Sequence, residues 1–508
     1  MLTRLRVNGF KNLINVEVRL GSFTCVAGPN GSGKSNLFDA IMFLSHLADK
    51  SLLEAAQLVR DPDCKNSDVR SLFFKAGDST HEFMEFEAEM IVPKYGIDDL
   101  GQKAEATTTF LIYKILIGLN KKPSAYAAQP LMILEERLDH ITLGKARQHV
   151  YFKNRPDFIS ALGVQRRTSP FISTDRENNI IKIHQDTKMD TKKGSGGRAR
   201  HVSSKLLPRT VISTATAAES PTALLARREM QSWRLLQLEP SAMRAPDPYI
   251  APQIVAENGA HLPATMARLT GIARSKFYSG NSNDLFRVVS EQKANSIKRR
   301  IVDSLSTLIE GVSDVFVDQD EKRELFTLVI SDNNGTKHEA RSLSDGTLRF
   351  LALALIANDP EASGLVCMEE PENGIHPTRI PSILTLLKEI SNYQGISARG
   401  NPGLRQVIIN THSPIVVALL EPGDILFSKS VQELSNGKKI DRAIFIPLSN
   451  TWRSKLDPQT LVSSKGEVIE YLNVLATALL DSDHPNTAQH VGLVDALPFM
   501  ELLEESDQ

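Results

Sequence analysis

Cysteine is scarce in this 508-residue chain: three residues, Cys25, Cys64 and Cys367, lie far apart. Their spacing matches no thiolate metal site and no disulfide framework of a small secreted domain. Cys25 and Cys367 fall in apolar runs, where a small buried side chain accounts for them. Also absent is any run of about 18 apolar residues, so no membrane-spanning helix is expected. Residues 1–6 lack the apolar stretch of a secretory signal. Together these absences lead us to expect a cytoplasmic protein with no membrane partner. Charge of one sign is missing too: 59 Lys and Arg face 60 Asp and Glu, for a net charge of −1. Attraction to nucleic acid must therefore be local. The middle of the chain carries no sustained heptad, which argues against long coiled-coil arms, and no internal repeat is evident.

What is present suits a globular protein. Hydrophobic residues make up 41% of the chain and charged residues 23%, enough to build a sizeable core. Residues 5–10 and 16–20 alternate as strands do. Phe23-Thr24-Cys25-Val26-Ala27 reads as a buried strand, and residues 35–46 carry a helical apolar pattern. Toward the other end, helical patterns at 348–357 and 380–390 alternate with buried strands at 365–368 and 407–410, and a helix starts near Ile415. Strands alternating with helices imply a mostly parallel sheet covered on both faces. Between these ends, residues 83–92 and 107–117 read as strands and 290–308 as a helix capped by Ser290.

Between the first buried strand and the first helix lies Gly28-Pro29-Asn30-Gly31-Ser32-Gly33-Lys34-Ser35, a P-loop in every specified position. Its glycines let backbone N–H groups curl round phosphate oxygens, and the following helix presents its positive end to them. Asn30, Gly31, Ser32, Gly33, Lys34, Ser35 and Asn36 are therefore the expected ATP-binding residues. Lys34 reaches the β- and γ-phosphates, and the Ser35 hydroxyl ligates Mg²⁺.

A second motif, Leu365-Val366-Cys367-Met368-Glu369-Glu370, has the form of a Walker B strand. Glu369 is expected to hold the Mg²⁺ hydration shell and Glu370 to orient the attacking water. Taken alone, the same residues also describe an ordinary strand ending in an acidic turn. Ser342-Leu343-Ser344-Asp345-Gly346 precedes an apolar helix. There Ser344 reads as an N-cap, and Ser344, Asp345 and Gly346 form an anion site or simply a cap. His412, just past a strand, reads either as a γ-phosphate sensor or as a turn histidine.

The order of these motifs resembles the ABC-type ATPases of the RecF/SMC group. It is still more similar to ATPases labelled AAA family, which include OLD-like and phage-defence proteins. The resemblance rests on Val7-Asn8-Gly9-Phe10-Lys11-Asn12, on 28–36, on 343–349, on Glu370-Pro371-Glu372-Asn373-Gly374-Ile375-His376-Pro377 and on Thr411-His412-Ser413. It covers 1–50 and 335–420, with weaker similarity at 233–244 and 259–269. It implies an α/β fold: an ABC-type head with a mostly parallel sheet, split by a large mixed α/β insertion. It also implies that two heads sandwich ATP. Lys34, Ser35, Glu369, Glu370 and His412 would then act in cis, and Ser344 and Gly346 in trans. In one departure from the group, Glu369 stands where an Asp is usual, and no glutamine is assigned to the Q-loop. The expected divisions are 1–50 and 336–425 for the head, 51–335 for the insertion and 426–508 for a C-terminal tail.

The purpose of the ATPase is less legible. The stretch 182–209 is rich in Lys and Arg, holds Gly194-Ser195-Gly196-Gly197 and reads as a linker or flexible loop. Lys192, Lys193, Arg198 and Arg200 are its candidate contacts to double-stranded DNA. One expectation is a switch in a nucleic-acid-linked process such as anti-phage defence or DNA repair, with a second head as partner. The alternative is a scaffold that regulates a separate effector, such as a nuclease, with little contact to DNA. A nuclease within the chain is not expected, since the carboxylates Glu467, Glu470, Asp481 and Asp483 lack strand context. A transporter ATPase is disfavoured by the length of the insertion.

Overall fold

The structure, a computed structural model, describes residues 1–59, 68–76, 79–120, 130–142, 149, 169–186, 199–204, 207–271, 291–309, 311–392, 404–435, 438–456 and 460–473. Ser290, Cys64, Lys192, Lys193, Arg198, Asp481 and Asp483 lie outside them.

Near the start of the chain, β1 (Leu2–Asn8), β2 (Val16–Arg19) and β3 (Phe23–Ala27) lead to helix α1 (Lys34–Leu47). Strands β4 (Phe83–Ile91), β5 (Phe110–Leu119), β6 (Leu131–His140), β7 (Ile172–Asp175), β8 (Ile180–Ile183) and β9 (Arg200–Ser203) follow. They join β1 and β2 in an eight-stranded sheet of order β9-β8-β7-β6-β5-β4-β1-β2. Every pairing in this sheet is antiparallel. One face is apolar, with Leu5, Val7, Phe86, Tyr113 and Ile115 buried. The other is charged: Arg4 pairs with Glu87 at 2.5 Å and Glu89 at 2.7 Å, and Lys114 with Glu85 at 2.7 Å. Such two-sidedness is what an antiparallel sheet allows.

A second sheet has the opposite character. Strand β10 (Arg234–Leu236) comes from the middle of the chain. Next come β13 (Gly364–Glu369), β14 (Arg405–Thr411), β15 (Ile425–Ser435) and β16 (Lys438–Pro447). Their order is β10-β13-β14-β3-β15-β16. All neighbours run parallel except β15 and β16, which form a hairpin. Alternate residues face different cores. Val26, Leu365, Cys367, Ile408 and Leu426 pack toward α1 and the first sheet. Cys25, Val366, Met368, Ile409 and Phe427 pack toward the C-terminal helices. A strand buried on both faces must be apolar at nearly every position, which is why these runs read as continuous.

The helices on that second face are α5 (Leu262–Leu269), α6 (Glu291–Leu308), α7 (Asp345–Asn358) and α8 (Ile380–Ser391). On the first, α1 is joined by α2 (Leu52–Gln57) and α3 (Pro221–Gln231), and the short α4 (Pro240–Arg244) precedes α5. A hairpin of β11 (Val312–Asp320) and β12 (Leu325–Asp332) forms a third sheet with Asp247–Pro248 and Lys337–Glu339. The helix expected from Ile415 is only the six-residue α9 (Pro414–Leu419).

Three expectations need correction. A mostly parallel sheet describes only the second sheet, and the larger one is antiparallel throughout. The segment read as a tail begins inside the second sheet, since β15 pairs with β3. The basic stretch read as a linker contains strand residues: Lys182 lies in β8 opposite His201, and Ile183 lies opposite Arg200 in β9, which ends at Ser203. The β-branched alternation of Ile181 and Ile183 buries both residues and outweighs the flanking charge.

Candidate functional site

The site is built on the carboxyl ends of β3, β13 and β14. The turn after β3 is shaped by two glycines with no substitute. A Cβ on Gly28 would lie 2.2 Å from the Ser428 carbonyl oxygen. Gly33 has φ 97°, and a Cβ there would meet the Ala443 Cβ at 2.5 Å. The hairpin β15–β16 thus packs directly against the P-loop, and the Ser428 hydroxyl donates to the Ser32 carbonyl at 2.9 Å. Helix α1 starts without a side-chain cap, which leaves its first N–H groups free for an anion. The Ser32 hydroxyl is buried with no partner among the described residues. Asn30 is exposed and Gly31 adjoins open space, whereas Ser35 and Asn36 are half-buried. Asn36 donates to the Asn12 side-chain oxygen at 2.8 Å.

Lys34 is 5% exposed and donates to the carbonyls of Gly28 and Pro29 at 2.7 and 2.8 Å. Burial pulls its ammonium below the ordinary 10.5, against the opposing influence of Glu370, Glu369 and Glu372. The strand register brings them near the lysine: Glu369 lies opposite Asn410, and Asn410 lies opposite Val26, at the end of the strand that leads into the P-loop.

Glu369 ends β13 in register with Asn410 of β14, whose amide donates to it at 3.4 Å. Glu370 follows with φ 43°, in the left-handed region. Its N–H is held by the Asn410 carbonyl at 3.1 Å and side-chain oxygen at 3.0 Å. This unusual backbone swings the Glu370 side chain out of the strand, where it meets His412 Nδ1 at 2.8 Å and the Asn373 amide at 2.6 Å. Burial works to raise the Glu370 carboxyl. The bonds to His412 and Asn373, with Lys34 nearby, outweigh it and hold the group below its ordinary 4.5.

Ser344 caps α7, accepting from the Thr347 N–H at 3.2 Å. Ser344 and Asp345 are exposed and Gly346 is half-buried. Asp345 is paired with Arg244 at 2.5 Å, and that guanidinium also donates to the Leu343 carbonyl at 2.9 Å. The structure therefore gathers Lys34, Glu369, Glu370 and His412 at the carboxyl ends of neighbouring strands, whereas the α7 cap lies on an exposed helix start that is linked to the Glu370 turn through Arg349, which donates to the Asn373 carbonyl at 2.6 Å. Of the basic candidates, Arg200 is described, and it lies 3.5 Å from Glu219.

Two features escaped the sequence. Gln237 directly follows β10, whose Leu236 pairs with Met368, so Gln237 stands level with Glu369 and is exposed. A three-residue strand is too short for periodicity to reveal. The partners Asn410, Thr411 and Asn373 were also hidden, because only the folded sheet brings them to Glu369, Glu372 and Glu370.

The family described as "AAA domain, putative AbiEii toxin, Type IV TA system" matches residues 23–99 and 203–418, more than half of the chain. Over 73 residues the chain is 34% identical to the DNA replication and repair protein RecF of Aliivibrio fischeri, a match covering 14% of this chain and 20% of that protein. The RecF of Erwinia tasmaniensis is 38% identical over 60 residues, covering 12% of this chain and 17% of that protein. The chain thus matches about a fifth of the length of these curated relatives. Among solved structures, an SMC head bound to the C-winged helix domain of ScpA is similar over 88% of this chain and 98% of its own, at 14% identity and a TM-score of 0.42. The SMC head domain from Thermotoga maritima is similar over 88% and 99%, at 13% identity and a TM-score of 0.35.

Proposed function

The chain belongs to the family described as AAA domain, putative AbiEii toxin, Type IV TA system, and is of the ABC-type, RecF/SMC-like ATPase kind; from that premise we propose that it hydrolyses ATP between two associated copies and works as a nucleotide-driven switch. The observation that carries this reading is the division of the site. Lys34, Glu370 and His412 lie at the ends of neighbouring strands, while the capped start of α7 presents Ser344 and Asp345 to solvent.

In this reading Lys34 and the free N–H groups of α1 hold the phosphates. Ser35 and Glu369 offer the oxygen ligands that Mg²⁺ takes. When bound, that ion neutralises charge on the β- and γ-phosphates. Glu370, kept ionised by its neighbours, orients the water that attacks the γ-phosphorus, and His412 reports on the phosphate. Gln237, level with Glu369, suits the Q-loop role. Ser344 and Gly346 of a second copy complete the site, because a helix N-terminus stabilises phosphate charge only at close range.

The switch serves a nucleic-acid-linked process such as anti-phage defence or DNA repair. Support comes from the RecF relatives and from Lys192, Lys193, Arg198 and Arg200. A second reading, a scaffold that controls a separate effector such as a nuclease, is favoured by the carboxylates set against the described basic residues: Lys182 pairs with Asp175 at 3.2 Å and Arg200 with Glu219.

Steady-state ATP hydrolysis by wild type and Glu370→Gln, with and without double-stranded DNA, tests the reading. Hydrolysis lost in the variant supports it, and stimulation by DNA favours the first purpose over the second. A wild-type chain that neither binds nor hydrolyses ATP would sink the proposal.

A further inference from the structure

Within the loop that follows β13, a third carboxylate has no part in the roles given so far. Glu372 is 8% exposed, more deeply buried than the half-buried Glu369 and Glu370. One oxygen, Oε1, accepts the Thr411 hydroxyl. The other, Oε2, is buried with no hydrogen-bond partner among the described residues. Burial raises its carboxyl above the ordinary 4.5, and the Thr411 bond works against that rise. Burying a carboxylate with so few partners is costly, so the position calls for a reason.

Thr411 supplies one. It is fully buried at the end of β14, opposite Ala27. Its carbonyl accepts from the N–H of Gly28, the first P-loop residue, at 3.1 Å. Its hydroxyl accepts from the Ser413 N–H at 2.9 Å while donating to Glu372. One threonine therefore touches the P-loop, the turn that carries Glu370 and the residue after His412. Without the Glu372 bond, the turn after β13 would lose its side-chain tie to the end of β14 at Thr411, and the His412–Glu370 contact spans that same junction.

We propose that Glu372 is a positioning residue which, through the Thr411 hydroxyl, locks the turn carrying Glu370 to the strand end carrying His412. This inference rests on the ATPase reading for its kinetic consequence, though not for its geometry. The role needs an acceptor at Glu372 and a hydroxyl at residue 411. Glutamine and serine keep these, and leucine and valine do not.

The test uses the full chain with Glu372→Leu, Thr411→Val, their double variant, Glu372→Gln and Thr411→Ser. The first two are expected to lower kcat about 10- to 100-fold, the scale of a displaced catalytic group, with KM for ATP changed little. The double variant is expected to be no worse than the poorer single, because the two act as a unit. Glu372→Gln and Thr411→Ser are expected to stay close to wild type. Losses that add, losses confined to KM, or conservative variants as impaired as the drastic ones would each overturn the proposal.

A second readout needs no turnover. In nucleotide-free protein with ¹⁵N-labelled histidine, the His412 ring resonance, identified by its loss in His412→Gln, is expected to move in Glu372→Leu and Thr411→Val. It should hold in the glutamine and serine variants, and an unmoved resonance in all four refutes the lock. A wild type without hydrolysis would end the ATPase reading, while the ring resonance would still decide on Glu372.

Discussion

Glu370 combines a left-handed backbone with a carboxylate held by two side chains, and its neutral isostere should separate binding from chemistry. Glu370→Gln keeps the shape and the Asn373 contact but cannot polarise water. We expect hydrolysis to fall at least about 100-fold, the usual worth of a positioned base, with ATP still bound. Single-turnover assays beside nucleotide titration check both halves. At Gly33, alanine adds a Cβ 2.5 Å from that of Ala443 on a backbone at φ 97°. Gly33→Ala should weaken ATP binding and lower the melting temperature together, since the side chain meets the hairpin that braces the loop. A third residue answers to pH. Glu136 is fully buried in β6, accepting from the N–H groups of Val211 and Ile212 at 2.7 and 2.8 Å and from the Tyr113 hydroxyl at 3.2 Å. Burial outweighs those donors and pushes its carboxyl up to about 7 from 4.5. The folded state then keeps a proton that the unfolded chain has lost. Its contribution is fully present below about 4.5 and is lost as pH rises through about 7, on the order of 3 kcal/mol in all. Melting temperatures from pH 5 to 8 should show this slope in wild type and lose it in Glu136→Gln.

Helix α7 is fixed at both ends by different means. Ser344 caps its start, and at its other end the buried guanidinium of Arg405 donates to the carbonyls of Ile356 and Ala357 at 3.2 and 3.0 Å and to that of Asp359. Arg405 begins the strand that ends at Thr411, so the helix and the histidine-bearing edge are tied together. Ser344→Ala should cost only about 1 kcal/mol of stability, the worth of a cap. Arg405→Met should cost on the order of 3 kcal/mol or more, because it strands several buried carbonyls at once. Thermal melts would separate the two. The elements of the site were readable to the extent that burial repeats along them. Residues 23–27, 365–368 and 407–410 stood out because strands covered on both faces are apolar at nearly every position, and Ser344 stood out because a cap is a local device. Gln237, the short β10 and the hairpin β15–β16 did not. Their place depends on neighbours far away in the chain, and the alternation in the hairpin looks the same in any half-exposed strand.

At the scale of the molecule, the exposed start of α7 and the P-loop edge are two halves that a second copy could join. If so, ATP should raise the mass of Glu370→Gln from one chain toward two, and Ser344→Arg should abolish that rise while leaving ATP binding by the single chain intact. Light scattering with and without nucleotide checks it, and a mass that never changes would rule out the paired site. The eight-stranded antiparallel sheet was the part of the whole least visible beforehand. The runs at 5–10, 16–20, 83–92 and 107–117 read as strands but gave no sign that they share one sheet, while Ile180–Ile183 and Arg200–Ser203 are short and flanked by charge, so linker composition won the reading there. The second sheet has an implication for synthesis. Strand β3 emerges from the ribosome early, yet its flanking strands begin only at Arg405 and Ile425. At about 5–20 residues per second, the nascent P-loop strand waits on the order of 20–80 s for the segments that will lie on either side of it. Translation that stops short of Arg405 therefore yields a polypeptide with its phosphate loop already made and nothing to brace it, and only a chain read past Ile425 can assemble the floor of the nucleotide site.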